Sequence, residues 1–334
     1  MKSAVRAVAL LSGGLDSTLA AMILKEKGIE VSGLAVITPF FSKERVEDIG
    51  SKLRSYYEVL KIPVKLVYVM EEYFPLIERS KYGFGRHLNP CIDCKILFLT
   101  LAKKYMEEIG AQFVITGDVL GQRSMSQSLK SMLLIEQEAG LSGKVVRPLS
   151  GLLLPPTEPE LRGYVERRWL LGIEGKKRTF QIKLAEEMGI AEYPQPAGGC
   201  LLTVSDFSRK VRDLLENHEL DLQQIELLKI GRHFRVHGVK LVVGKNEHEN
   251  KSLEEAWRGF GYLLLPVNVK GATGLVLSIE KIQKEDLEIH LKIVGRYCDS
   301  KSGILFRILA PDGESNEVLL VDAFKPFESD RYMV

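Results

Sequence analysis

Short apolar runs and amphipathic segments alternate along the first half of the chain. The apolar runs are typical of buried strands, and the segments between them carry apolar residues at helical spacing. The predicted strands are residues 5–11, 31–38, 64–69 and 112–116, and the predicted helices are residues 15–27, 44–60 and a segment that contains Tyr105 and ends near Gly110. This alternation indicates an α/β fold in which helices cover both faces of a parallel sheet.

The pattern changes at about residue 205. Residues 207–217 have the spacing of an amphipathic helix, and strand-like runs separated by glycines follow. These runs are residues 239–243, 262–269, 274–279, 289–294 and 304–309. We therefore predict two domains: residues 1–203 with the parallel sheet, and residues 204–334 as a smaller, strand-rich α+β domain.

Composition adds little about function but bears on location. Of the 334 residues, 45% are hydrophobic and 27% are charged, and the net charge is +2. This balance neither requires nor excludes a nucleic acid partner, so any basic surface must be local. The first strand begins too close to Met1 for a separate signal peptide, and no apolar run is long enough to cross a membrane. We expect a cytoplasmic protein without membrane contact.

The turn between the first strand and the first helix reads Ser12-Gly13-Gly14-Leu15-Asp16-Ser17. Two glycines allow the backbone to approach an anion, while the N–H groups of the turn and the helix dipole attract it. A carboxylate would repel bare phosphate, which indicates a magnesium ion or a polarised water beside Asp16. No lysine ends the turn, so it is not a Walker loop. The motif predicts binding of ATP through its pyrophosphate.

Three cysteines form a second candidate site. Cys91 and Cys94 lie three residues apart at the start of a predicted helix, and Cys200 follows two glycines. Three thiolates suit a [4Fe-4S] cluster with one open iron. A redox dithiol or persulfide without metal, and a zinc site with His87 as fourth ligand, are the alternatives. Cys298 stands apart and is predicted to be a small buried residue.

These motifs together resemble the PP-loop ATP pyrophosphatases that thiolate tRNA. The stretch from Thr116 to Gln127 is similar to the T-G-E-x-L-G-Q-x-x-S-Q sequence of tRNA 4-thiouridine synthetases, with Asp118 in place of Glu. Cys200 is similar to the second functional cysteine of tRNA 2-thiouridylases. Those enzymes commonly have D-x-x-C where this chain has C-x-x-C. The resemblance covers about the first 200 residues.

The resemblance implies a parallel-sheet PP-loop fold and a two-step reaction. ATP adenylates a uracil carbonyl oxygen with release of pyrophosphate, and sulfur then displaces AMP. Asp16 and the three cysteines are the implied catalytic residues, and Cys91, Cys94 and Cys200 are the implied cluster ligands. The residues implied to lie at the nucleotide are Ser12, Gly13, Gly14, Asp16, Ser17, Thr38, Gly117, Asp118, Gln122, Ser126 and Gln127.

The implied partner is tRNA, together with a sulfur donor that is either hydrosulfide or a cysteine desulfurase persulfide. Residues 231–235 and 244–250 weakly resemble the NFACT RNA-binding domain, with a dimerisation or packing domain as the alternative. A basic segment near Trp169 either contacts RNA or forms a solvated helix face. The predicted RNA-binding residues are Arg123, Lys176, Lys177, Arg178, Arg232 and Lys245.

Two other functions remain open at the level of sequence. An ATP-dependent amidating ligase of the same fold would use the same nucleotide loop but would have no use for the C-x-x-C motif. A non-catalytic RNA-binding module would not need intact Asp16 and Ser17. The sequence does not decide the oligomeric state, the modified uridine or the sulfur donor.

Overall fold

A computed structural model describes residues 4–42, 46, 57–58, 60–190, 200–257 and 260–334. The chain divides into two compact units, residues 1–208 and residues 209–334. Each unit is described separately below. Among the described residues, no helix is both long enough and apolar enough to cross a membrane.

The first unit contains a five-stranded, fully parallel sheet. Its strands are β1 (Arg6–Leu10), β2 (Glu30–Ile37), β3 (Val64–Tyr68), β4 (Phe113–Ile115) and β5 (Val145–Val146), in the order β3-β2-β1-β4-β5. The predicted α/β class is confirmed. Strand β5 was not predicted, because two residues are too few to show any periodicity.

Helices follow the strands of this sheet along the chain. They are α1 (Leu15–Lys25), α2 (Phe74–Glu78), α3 (Cys91–Glu108), α4 (Leu129–Glu138), α5 (Glu158–Leu161) and α6 (Thr179–Glu187). Helix α7 (Ser205–Glu216) begins in the first unit, and most of its residues belong to the second. The predicted helix at residues 44–60 lies almost entirely outside the described residues. Helices α1 and α6 share the core of the first unit, where Leu19 and Ala185 are fully buried.

The order of the strands brings two loops to the same edge of the sheet. The chain leaves β1 toward β2 on one side of the sheet, and it leaves β4 toward β5 on the other side. Because β1 and β4 are neighbours, the segments that follow them begin side by side at the carboxyl edge, where open α/β sheets usually bind ligands. The turn after β1 (residues 12–17) and the polar stretch after β4 (residues 116–127) therefore meet at this edge.

Gly117 shows how closely these two segments approach. A Cβ atom at this position would lie 2.4 Å from the Ser17 backbone nitrogen and 2.5 Å from the Asp16 carbonyl carbon. These neighbours belong to the backbone of α1, so they cannot move aside like a flexible side chain. Gly117 is thus required for packing against the first turn of α1.

Replacing Gly117 by alanine is expected to lower the free energy of unfolding by about 2 kcal/mol, because the added methyl group forces strand and helix apart. Thermal or urea unfolding measures this change. Gly172→Ala is the matched control, because the nearest atom to its added Cβ is Leu152 Cβ at 3.7 Å. Equal stability of the two variants would contradict the close-packing role.

The second unit is built on a six-stranded antiparallel sheet. The strands are β6 (Arg232–Val236), β7 (Val239–Val243), β8 (Tyr262–Pro266), β9 (Gly274–Leu277), β10 (Ser302–Leu309) and β11 (Ser315–Asp322), in the order β11-β10-β8-β9-β7-β6. The helices are α8 (Leu222–Leu228), α9 (Glu247–Trp257), α10 (Lys284–Gly295) and α11 (Pro326–Asp330). The predicted strand-rich α+β class is confirmed.

One predicted strand of this unit is wrong. Residues 289–294 belong to α10, whose buried residues include His290, Leu291, Ile293 and Val294. A short apolar run does not distinguish a strand from the buried face of a helix. The acidic first turn of α10, with Glu285 and Asp286, is a helix-start feature that favours the observed structure.

His290 makes the second unit sensitive to acid. It is fully buried, and neither ring nitrogen is hydrogen-bonded to any of the described side chains. Burial lowers the pKa of His290 to about 4, although Asp286 opposes the shift. This pKa lies below the value of histidine in the unfolded chain. The contribution of His290 to the free energy of unfolding is therefore fully present above about pH 6.5 and is lost as the pH falls toward 4.

We expect acidification from pH 7 to pH 4 to cost wild type about 3 kcal/mol more than His290→Leu, which has no ring to protonate. Urea unfolding at several pH values measures the difference. His248→Leu is the control, since His248 is exposed on α9. Parallel pH profiles for wild type and His290→Leu would refute the role of His290.

Candidate active site

The turn after β1 has the geometry of an anion cradle. Gly13 has a φ of 76°, in the left-handed region that glycine adopts readily. The Ser17 hydroxyl donates to the Gly14 carbonyl at 2.8 Å and lies 3.3 Å from the Ser12 hydroxyl. These bonds hold both hydroxyl groups at the N-terminus of α1, where the helix dipole attracts an anion. The sequence-predicted residues Ser12, Gly13, Gly14 and Ser17 are thus brought together.

Asp16 projects from the first turn of α1 and is only 9% exposed. Its Oδ2 atom accepts a hydrogen bond from Gln122 Nε2 at 3.1 Å and lies 3.5 Å from the Arg178 guanidinium. Its Oδ1 atom has no hydrogen-bond partner among the described residues. A buried carboxylate oxygen without a partner is a fitting ligand for Mg²⁺.

Arg178 was predicted to bind RNA, but the structure places it against Asp16. The segment before it packs beside the polar stretch after β4, because the Gly175 N–H donates to the Leu120 carbonyl at 2.7 Å. Residues 12–17, the turn predicted to bind the nucleotide, are called the nucleotide turn below. A guanidinium beside this turn is suited to contact phosphate. Lys176 and Lys177, by contrast, are exposed.

Asp118 is occupied by a network of charged and polar groups. Lys95 forms an ion pair with it, Gln127 Nε2 donates to its Oδ1 at 2.9 Å, and the Thr116 hydroxyl donates to its Oδ2 at 3.1 Å. Arg147 Nε lies 3.7 Å from Oδ2, and the same guanidinium pairs with buried Glu136. Burial raises the pKa of Asp118, but Lys95 and Arg147 outweigh it and hold the pKa well below its usual range.

This network adds a structural role to the one predicted for Asp118. Both carboxylate oxygens accept hydrogen bonds from protein groups, so Asp118 organises its neighbours. Its position near the nucleotide, which the resemblance implied, stays a prediction. Thr38, also predicted at the nucleotide, is buried directly after β2 at the same sheet edge.

The end of the polar stretch contains two nearly buried polar side chains. Ser126 is 1% exposed and Gln127 is 4% exposed. Ser126 Oγ and Gln127 Oε1 have no hydrogen-bond partners among the residues that the structure describes. Ser128 then begins α4 by accepting a hydrogen bond from the Ser131 N–H at 3.1 Å. Both unpaired atoms are thus held at a fixed position.

Cys91 and Cys94 lie in the first turn of α3, as the sequence predicted. The carboxylate of Asp93, which lies between them in the sequence, is bound by a different segment. It accepts hydrogen bonds from the Ser80 hydroxyl at 2.7 Å and from the Lys81 N–H at 3.2 Å. A Cβ at Gly85 would lie 2.8 Å from Met125 Sδ and 3.8 Å from Cys91 Sγ. The polar stretch after β4 therefore passes close to Cys91.

Cys200 reaches this site through backbone contacts of the residues that follow it. The Leu201 N–H donates to the Phe40 carbonyl at 2.9 Å, and the Leu202 carbonyl accepts from the Leu88 N–H at 3.3 Å. Phe40 follows β2 and Leu88 precedes α3. These contacts join the 201–202 turn to the segment that precedes Cys91.

All three cysteines interact electrostatically with a buried tyrosine that the sequence did not suggest. Tyr73 is 1% exposed, its ring centroid lies 5.3 Å from that of Phe40, and its hydroxyl is hydrogen-bonded to Cys94. Burial raises the pKa of Cys94 to about 12, although this hydrogen bond opposes the shift. Burial also raises the pKa of Cys91, against the effects of Arg123 and Lys95. The thiols of Cys91 and Cys94 are thus protonated at neutral pH, and a bound cation or a base is needed to deprotonate them.

The donor set can be tested against the implied cluster. Cysteine thiols are the donors that iron–sulfur clusters use, and metal binding deprotonates such thiols. The three cysteines therefore fit a cluster in chemical type. Among the described residues, no three His, Cys, Asp or Glu side chains lie close enough together to hold a metal ion, and this includes the zinc site considered with His87. Residues 191–199, directly before Cys200, lie outside that part.

The remaining predicted RNA-binding residues are distributed over the two units. In the first, Arg123 lies close enough to Cys91 to affect its pKa. In the second, Arg232 stacks on the Tyr297 ring with 4.4 Å between guanidinium and centroid, and it donates to the Gly244 carbonyl at 3.3 Å. Lys245 is exposed. Arg232 therefore packs on Tyr297, and its contact with RNA stays a prediction.

Lys95 and Tyr73 are site residues that sequence reasoning missed. Lys95 directly follows Cys94, and this position on the first turn of α3 was the available indication. Tyr73 comes from the segment after β3, so its position at the carboxyl edge of the sheet was the only hint. The pairing of Arg178 with Asp16 had no indication in the sequence.

Comparison with known proteins confirms both resemblances. Residues 2–153 match the sequence model of the family described as thiamine biosynthesis protein (ThiI). Residues 231–333 match that of the NFACT protein RNA binding domain. The two matches fall in the first and the second unit, respectively.

Among curated proteins, a probable tRNA sulfurtransferase of Thermococcus kodakarensis is 31% identical over 147 residues, which are 44% of this chain and 37% of that protein. The chain thus spans less than half the length of this relative. A 4-thiouridine synthetase in complex with RNA and ATP is 23% identical, with a TM-score of 0.43 over 67% of this chain and 52% of that one. The U34-tRNA thiolase NcsA of Methanococcus maripaludis, solved with its [4Fe-4S] cluster, is 18% identical, with a TM-score of 0.35 over 68% of this chain and 71% of that one.

Proposed function

We propose that this protein uses ATP to thiolate a uridine of tRNA. The observation that carries the proposal is the path of the polar stretch after β4. Gln122 in this stretch binds Asp16 of the nucleotide turn, and the adjacent Arg123 lies near Cys91. One short segment therefore connects a site for activating oxygen with a site for delivering sulfur.

In the first step, a uracil carbonyl oxygen attacks the α-phosphorus of ATP, pyrophosphate leaves, and the N3 proton of the base passes to solvent, from which it returns when the thiocarbonyl forms. The turn at Ser12 to Ser17 binds the phosphates, and Arg178 compensates their charge once it is released from Asp16. Asp16 would hold Mg²⁺ through its unpaired Oδ1 atom. Bound magnesium would neutralise the charge that develops on the leaving pyrophosphate.

In the second step, sulfur attacks the activated uracil carbon and AMP leaves with the original oxygen. Cys91, Cys94 and Cys200 would hold a [4Fe-4S] cluster, which would supply an open iron for binding hydrosulfide. Lys95 and Arg123 would place positive charge near the incoming sulfur anion, and Tyr73 would position Cys94.

A persulfide route needs no cluster. The terminal sulfur of a cysteine persulfide attacks the same carbon and AMP leaves. The base is then joined to the enzyme through an S–S bond. A second cysteine thiolate attacks the cysteine sulfur of this bond and releases the thiouridine. The two cysteines are left as a disulfide, which an external thiol reduces. The electrostatic interaction of Cys94 with Cys200 supports this route, because it indicates that the two cysteines belong to the same region of the site.

The test is to incubate anaerobically purified protein with tRNA, ATP and sulfide and to measure thiolated nucleosides by mass spectrometry. Iron and labile sulfide are measured on the same preparation. ATP-dependent thiouridine supports the proposal, and iron in wild type but not in the three cysteine-to-alanine variants supports the cluster. Thiouridine formed by iron-free protein with a persulfide donor would instead establish the persulfide route.

The same experiment separates the other functions. An amidating ligase would release pyrophosphate with ammonia and an acid substrate but leave tRNA unthiolated. A non-catalytic RNA-binding module would bind tRNA without releasing pyrophosphate. We assign tRNA contact to exposed Lys176 and Lys177 and to residues 204–334, whose match to an RNA-binding family supports this role.

A further inference from the structure

The side-chain amide of Gln127 has a fixed orientation. Its Nε2 atom lies 2.9 Å from Asp118 Oδ1. An ionised carboxylate only accepts hydrogen bonds, so the amide must present its NH₂ group to Asp118 and cannot turn over. Lys95 and Arg147 keep Asp118 ionised through their positive charge. The backbone is held as well, because the Gln127 carbonyl accepts from the Gly121 N–H at 2.8 Å.

A fixed NH₂ group makes the other end of the amide an obligatory acceptor. Gln127 Oε1 is nearly buried and has no hydrogen-bond partner in the described structure. An unpaired buried acceptor is unfavourable, so a ligand that offers an N–H group there is favoured. A ligand that offers an acceptor at the same place is repelled.

The position of Gln127 suits the substrate base. Through Asp118 it is connected to Lys95, which follows Cys94, and Gly117 next to Asp118 packs on Asp16 and Ser17. A base bound at Gln127 would therefore lie between the nucleotide turn and the cysteines. Ser126 Oγ, unpaired beside it, offers a donor for a base carbonyl.

We propose that Gln127 selects uracil over cytosine by accepting a hydrogen bond from N3–H of the target base. Uracil carries a donor at N3, whereas cytosine carries an acceptor there. This inference rests on the proposed function and names the residue that determines its base specificity. Gln127 Oε1 is covered by protein, so the polar stretch must open locally when the base enters.

The experiment uses two fluorescently labelled tRNAs that differ only at the modified position, located beforehand by mass spectrometry of the thiolated product. One carries uridine there and the other carries cytidine. Equilibrium binding to the 334-residue chain is measured with a non-hydrolysable ATP analogue, so the readout does not require activity. Wild type is expected to bind the uridine form about tenfold more tightly. Uracil gains a hydrogen bond to Gln127 Oε1, whereas the N3 acceptor of cytosine is repelled by the same atom.

Two variants test the assignment. Gln127→Met removes the acceptor and should reduce the preference to about threefold or less. Asp118→Asn keeps Gln127 but lets the amide turn over, because asparagine both donates and accepts; it should also reduce the preference. Gln137→Met, the same change at an exposed position of α4, should retain the full preference. Circular dichroism establishes that each variant is folded.

The inference is overturned if wild type binds both tRNAs equally, or if folded Gln127→Met keeps the full preference. Failure of Asp118→Asn alone to reduce the preference would overturn the orienting role of Asp118. A wild-type protein that binds neither tRNA contradicts the proposed function itself, and with it this inference. The two failures are therefore distinguishable.

Discussion

Asp16→Asn is expected to reduce tRNA-dependent pyrophosphate release by about a hundredfold or more. The substitution keeps the size of the side chain and its hydrogen bond with Gln122, but it removes the charge that we propose binds Mg²⁺. The buried Oδ1 atom has no protein partner in the described structure, so its replacement disturbs no protein contact. The loss should therefore appear in catalysis rather than in stability.

Pyrophosphate release is measured with tRNA and saturating ATP, together with the melting temperature. Asp322→Asn is the matched control, because Asp322 is exposed on β11. If Asp16→Asn released pyrophosphate at the wild-type rate, the carboxylate would have no part in the adenylation step. If it unfolded at a much lower temperature, the pairing with Arg178 would be structural.

The part of the site that the sequence predicted best is the part determined by local residues. Gly13 adopts the left-handed conformation that the turn requires, and Ser17 lies on the first turn of α1. Cys91 and Cys94 likewise depend on one helical turn. In each case the residues that create the geometry are neighbours along the chain, so their spacing is sufficient for the prediction.

The parts that sequence reasoning missed depend on contacts between distant residues. Arg178 meets Asp16 only because the segment before it packs beside Leu120. The charge network of Asp118 was missed because Lys95 and Arg147, from α3 and from the residue after β5, converge on it. No local pattern reports such convergence.

The second unit shows the same limit for secondary structure. Strand β11 was not predicted, because Leu319 and Val321 are exposed and the strand lacks the usual alternation of one buried and one polar face. Strand β6 was missed because two of its five residues are arginines. Arg235 satisfies its charge through Asp213 and Glu219, which come from a different part of the sequence.

The two half-reactions should separate when the cysteines are replaced. Cys94→Ala and Cys200→Ala are each expected to lower thiouridine formation about a thousandfold or more, because the group that delivers sulfur is lost. Pyrophosphate release should fall by about threefold or less, because the nucleotide turn contains no cysteine.

Cys298→Ala is the control, since Cys298 is buried in the core of the second unit. If pyrophosphate release fell in parallel with thiolation, sulfur and ATP would act in one inseparable step. If thiolation survived in both variants, the cysteine site would have no part in sulfur transfer.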